Sequence, residues 1–77
     1  MNASRRRLIA DTIIRLKAAK SATVYILKQE DESRDNVPES LQETDAFTSS
    51  ESASESLESA LESIESAIEM LENAKEE

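Results

Sequence analysis

Seven glutamates spaced three or four residues apart are the densest set of side chains here able to do chemistry: Glu51, Glu55, Glu58, Glu62, Glu65, Glu69 and Glu72. Carboxylates at helical spacing suit three tasks. They hold a metal, act as general acid and base, or present a negative stripe to a basic surface. The first two need partners that this chain lacks. It has no His, the commonest metal ligand and general base, and no Cys, which excludes disulfides and thiolate zinc sites. Carboxylate di-metal bundles use Glu-x-x-His pairs from facing helices. No Ser/His/Asp or Cys/His set is present, and without Gly there is no glycine-rich phosphate loop. The expectation is a protein that is not an enzyme, with no cofactor and no metal. The glutamates then read as a solvated helix face, or as an acidic stripe that imitates a nucleic-acid backbone or docks on a basic groove. Glu58, Glu62 and Glu65 are the candidate partner surface.

The second set is basic. Arg5, Arg6 and Arg7, followed by Arg15, Lys17 and Lys20, suit phosphate binding. Nucleic acid is not the expected partner, because no aromatics are interleaved and the net charge of −8 is repulsive. A small anion or nucleotide at an oligomer interface stays open, with Arg5, Arg6 and Arg7 as its ligands. The charge is bipolar: residues 1–29 carry seven Lys/Arg and one acid, and residues 30–77 carry two Lys/Arg and sixteen acids. Arginines in the first turns oppose the helix dipole by roughly 0.3 kcal/mol or more each. An acidic partner helix or an acidic ligand must favour them. Ser52, Ser59 and Ser66 each precede an acid by three residues, as acidophilic kinase sites do, but a chain this rich in Ser and Glu matches that pattern by chance.

Helices must position both sets. Residues 55–75 read ESLESAL, ESIESAI, EMLENAK, a seven-residue repeat. Ala53, Leu57, Ala60, Ile64, Ala67, Leu71 and Ala74 alternate by four and three, and Leu61 and Ile68 widen the stripe beyond a two-stranded seam. The alanines call for a close partner helix. Upstream, Ile9, Ile13, Leu16, Ala19 or Lys20, Thr23 and Ile26 or Leu27 keep a similar rhythm. The spacing predicts one domain: a helix over 4–32 capped by Ser4, a junction over 33–44, and a helix over 45–75 that starts at Thr44 or Thr48. In the junction, Pro38 breaks the helix, Asn36 with Glu39 reads as a capping box, and Leu41 is expected to tuck against the bundle.

The junction Asp35-Asn36-Val37-Pro38-Glu39-Ser40-Leu41-Gln42 resembles the D-N-x-P-E-S-L-Q segment of small acidic proteins from phages and Gram-positive bacteria. The resemblance spans roughly residues 34–75. It implies a helical hairpin and a phage or prophage origin, and it implies no activity. The serine-rich stretch 49–59 and the basic first helix depart from that pattern.

The expected fold is all-α, an antiparallel helical hairpin with a short helical hook. A core this small, without disulfide or metal, requires oligomerisation. A homo-oligomer is therefore expected, a dimer forming a four-helix bundle. Its core and interface residues are Ile9, Ile13, Leu16, Ile26, Leu57, Ala60, Leu61, Ile64, Ala67, Ile68 and Leu71. No run approaches the roughly 18 apolar residues of a membrane span. Asp11 and Arg15 interrupt the faint signal-peptide pattern after Arg7, so a cytoplasmic protein is expected. The expected function is non-enzymatic protein–protein interaction, as a phage-encoded inhibitor or adaptor of a host or phage protein. The alternatives are a small-anion or nucleotide-sequestering oligomer and a purely structural bundle component.

Overall fold

The computed structural model describes all 77 residues as two long antiparallel helices, α1 (Ala3–Asp35) and α2 (Asp45–Glu76), joined through a 3₁₀ turn at Glu39–Leu41. The Cα envelope is a rod of 60 × 14 × 12 Å, two helices thick and without an interior layer. No helix is long and apolar enough to cross a membrane.

The ends differ in detail from the spacing. Asn2, not Ser4, caps α1: its Oδ1 accepts from the Arg5 backbone N–H at 2.9 Å. The helix also runs three residues past Glu32. Its last turn is held by Arg34, which reaches across to α2; Asn36 is its C-cap, and the Val37 backbone N–H donates to the Arg34 carbonyl at 3.1 Å. No capping box forms. Pro38 precedes the 3₁₀ turn without a side-chain cap. Thr44 starts α2, its Oγ1 accepting from the Phe47 N–H at 3.2 Å. Leu41 is exposed. It borders a groove with Val37, Ala46 and Phe47 at the loop end, so it covers the end of the rod only in part.

The seam between the helices is a heptad on both sides. On α1 the inward residues are Ile9, Ile13, Leu16, Lys20, Thr23, Leu27, Glu30 and Arg34; on α2 they are Phe47, Ser50, Ser54, Leu57, Leu61, Ile64, Ile68, Leu71 and Lys75. Each set alternates steps of four and three, and every member is buried or half-buried. Leu27, rather than Ile26, occupies the α1 seam, and Ile26 is 51% exposed. On α2 the helix packs over the Leu/Ile column and leaves the alanine column to one side. Ala60 is exposed, while Ala53, Ala67 and Ala74 are half-buried. The physical reason is area: a leucine or isoleucine pair removes far more apolar surface from water than a leucine–alanine pair.

Only Ile13, at 5% exposure, Ile68, at 9%, and Ser54, at 4%, are buried. The hairpin is therefore a zipper with two apolar anchors and a polar one. Lys20 sits within the seam, where a lysine fixes register at a cost in stability. Lys20→Leu is expected to raise the thermal midpoint, by about 1 kcal/mol of added apolar burial. A lowered midpoint would show that the Lys20 ion pair outweighs that burial.

Candidate functional site

Three features compete as the functional site: a polar clamp at the loop end, an acidic flank, and a basic tip. The clamp is built around Arg34, whose side chain is only 18% exposed. Its Nη1 donates to the Ser50 carbonyl (3.1 Å), Ser50 Oγ (3.2 Å) and Ser54 Oγ (2.8 Å). Its Nη2 donates to Asp31 Oδ1 at 2.8 Å, and Ser54 Oγ donates to the same oxygen at 2.7 Å. The network joins one turn of α1 to one turn of α2, and no buried side-chain polar atom is left unpaired. The Ser54 hydroxyl, then the Arg34 hydrogen bond and charge, hold the Asp31 carboxyl below its ordinary value of 3.8, with desolvation opposing.

That depression has a sign. A carboxyl whose folded-state pKa lies below its unfolded value stabilises the fold above the unfolded pKa, here 3.8, and loses that contribution as pH falls through the folded value. The stability difference between wild type and Asp31→Asn is therefore expected to be largest near neutral pH and to shrink below 3.8. Paired thermal melts across that range measure it. A difference independent of pH would detach Asp31 ionisation from the clamp.

The acidic flank lies along α2. In heptad terms, Glu51, Glu58, Glu65 and Glu72 adjoin the seam on one side, and Glu55, Glu62, Glu69 and Glu76 lie one step further out. Helix α1 answers with two ion pairs only, Lys17–Glu72 at 3.8 Å and Lys20–Glu65 at 3.5 Å. Both are solvent-exposed, and such pairs contribute between about 0 and 1 kcal/mol. Of the three candidate glutamates, Glu65 is engaged by Lys20, while Glu58 and Glu62 have no cationic partner. No three carboxylates converge into a group able to hold a metal ion.

The basic tip is at the opposite end. Arg5, Arg6 and Arg7 are exposed in the first turns of α1 and form no ion pair with α2. They line none of the grooves on the hairpin. The expected match of basic α1 to acidic α2 is therefore made by Lys17 and Lys20 and not by the arginines. The clamp escaped sequence reasoning, although a signal existed. Arg34 is the one cation between Lys28 and Lys75, and Ser50 and Ser54 fall in phase with Leu57 and Leu61, where a hydroxyl in the seam needs a partner.

The fold and these features define the class, an extended antiparallel helical hairpin zipped by heptads. No protein-family model, curated protein or solved structure matches the chain.

Proposed function

We propose that this chain is a non-enzymatic interaction protein that self-associates and binds a basic surface of another protein through the glutamate flank of α2. In the setting that the junction resemblance suggests, it is a phage-encoded inhibitor or adaptor acting on a host or phage protein. One observation carries the reading. Glutamates fill the flank heptad after heptad, and α1 neutralises only Glu65 and Glu72 with its lysines. Glu51, Glu55, Glu58, Glu62 and Glu69 remain as a one-sided field along a rigid helix. Such a field steers and orients a basic partner.

The test is capture from a host lysate by wild type and by the Glu58→Lys/Glu62→Lys variant over a salt series. The expected result is a specific basic partner retained by wild type at low salt, released as salt screens the contact, and absent with the variant. Equal capture by the two proteins, or no specific partner at low salt, would overturn the reading. The anion-sequestering alternative has weaker support, because Arg5, Arg6 and Arg7 converge on no cavity.

A further inference from the structure

The two flanks of α2 are chemically opposite. Across the seam from the glutamates, the adjoining positions are Ala46, Ala53, Ala60, Ala67 and Ala74. One step further out are Ser49, Ser56, Ser63 and Met70. This wall carries no charge from Ala46 to Ala74, whereas the other flank carries a glutamate at nearly every corresponding position. The hairpin is also unfinished there. Exposed Tyr25 and Ile26 of α1 share an open groove with Ala53, Ser56 and Leu57, and Glu30 is the one charged residue on its rim. Ala19 and Thr12 continue the α1 edge beside Ile26 at seven-residue steps, with Arg5 the one charge, at its tip, and the Thr12 hydroxyl is already bonded to the Leu8 carbonyl at 2.8 Å. Met70, on the same wall, is exposed.

What covers this face must satisfy three conditions. It must be a straight rod, since the wall runs about 42 Å along the helix. It must tolerate close approach at each alanine and bring large apolar side chains to the gaps between them. It must also be uncharged along its length, which excludes the basic partner that the opposite flank suits. A second copy of this chain meets all three. It is a 60 Å rod with the same repeat and the same uncharged wall. Joining two such walls covers the exposed edges of Leu57, Ile64 and Leu71, which a lone hairpin leaves half-buried. It also turns both glutamate flanks outward, where their mutual repulsion is least.

We propose that the alanine wall of α2, together with Thr12, Ala19 and Ile26 of α1, is the face on which a second copy docks side by side to complete a four-helix bundle. This rests on the self-association in the proposed function and specifies its surface. The dimer then keeps two glutamate flanks free, one on each side.

The chain has no cysteine, so single introduced thiols each report one position. Light scattering on wild type is expected to give twice the 8.5 kDa chain mass. At that concentration, an Ala60→Cys thiol is expected to be alkylated about tenfold more slowly than a Ser59→Cys thiol on the outer face. Ala60→Glu is expected to weaken the dimer about 100-fold, through a charge buried without a partner, while Ser59→Glu leaves it unchanged. Loss of helicity together with mass in Ala60→Glu, both recovered at higher protein concentration, supports the proposal equally. A wild-type mass of one chain overturns this surface and the self-association reading together. A wild-type dimer in which Ala60→Cys reacts as fast as Ser59→Cys overturns the surface alone.

Discussion

Ile68→Asp is expected to leave the chain without a folded hairpin. Ile68 is one of two buried apolar side chains, so the substitution removes half of the apolar anchoring and about 2 kcal/mol of burial. A carboxylate in its place is desolvated, and an unpaired buried charge adds a penalty of several kcal/mol. Rescue by neighbours is the competing effect. Lys17 and Lys20 border the same groove as Ile68, but so do Glu65, Glu69 and Glu72, and the two lysines already pair with Glu65 and Glu72. Aspartate also has too short a stem to carry its charge out to solvent, as a lysine would. The net effect exceeds the reserve of a rod with three buried residues. Ile14→Asp makes the same chemical change at an exposed position of α1 and is expected to shift stability by no more than about 0.5 kcal/mol. Helicity and thermal melts of the two variants decide the matter. A cooperative melt of Ile68→Asp close to wild type would move the seam away from the Leu61–Ile68 column.

How the seam lies across α2 also marks the limit of what the residues disclosed. Two helices, their antiparallel pairing and the break near Pro38 follow from period and punctuation, because a seven-residue repeat and a single proline leave few alternatives. The choice of facing column does not follow. Leu57, Ile64 and Leu71 have Ala53, Ala60, Ala67 and Ala74 on one side and Leu61 and Ile68 on the other, so a period of seven fits both stripes. Area decides for the leucine–isoleucine column, and area becomes visible only once the partner helix is placed. The same ambiguity in α1 set Ile26 against Leu27. Of the candidate site, the glutamate flank was legible, since every member lies in one arc of the helix. Its partial neutralisation was not, because the partner of each lysine depends on the antiparallel offset, which no local spacing states. Asn36 shows a further limit. A residue suited to start a helix also suits its end, and here Asn36 stands at the C-cap of α1.

Arg34→Met is the substitution that separates register from mere stability. It removes four hydrogen bonds at once, three of them to α2. Ser54 keeps its bond to Asp31, so the hydroxyl is not orphaned, but Asp31 loses its charge partner. The expected loss is about 2 kcal/mol. For a chain of this size that corresponds to a fall of about 10 °C in thermal midpoint. Arg34→Lys is expected to recover less than half of the loss, because a single ammonium cannot span Asp31, Ser50 and Ser54 as the planar guanidinium does. The larger consequence concerns sliding. Between Leu57 and Ala74 the repeat is nearly the same every seven residues, so a one-heptad slip exchanges leucine for isoleucine at little cost. Arg34 adds to the cost of that slip, since the shift sets its guanidinium against Leu57 or Leu61 with no acceptor. Without it, Lys20 and the burial of Ile13 are left to distinguish one register from the next. Arg34→Met is thus expected to show doubled or broadened amide resonances along α2 as well as a lower midpoint. The triple change Asp31→Leu/Arg34→Met/Ser54→Leu tests the distinction further. Replacing the whole clamp with apolar side chains is expected to restore the midpoint or raise it, while the resonances stay broadened. A triple variant with sharp resonances would assign the register to the junction at Pro38 and leave Arg34 as a stabilising contact only.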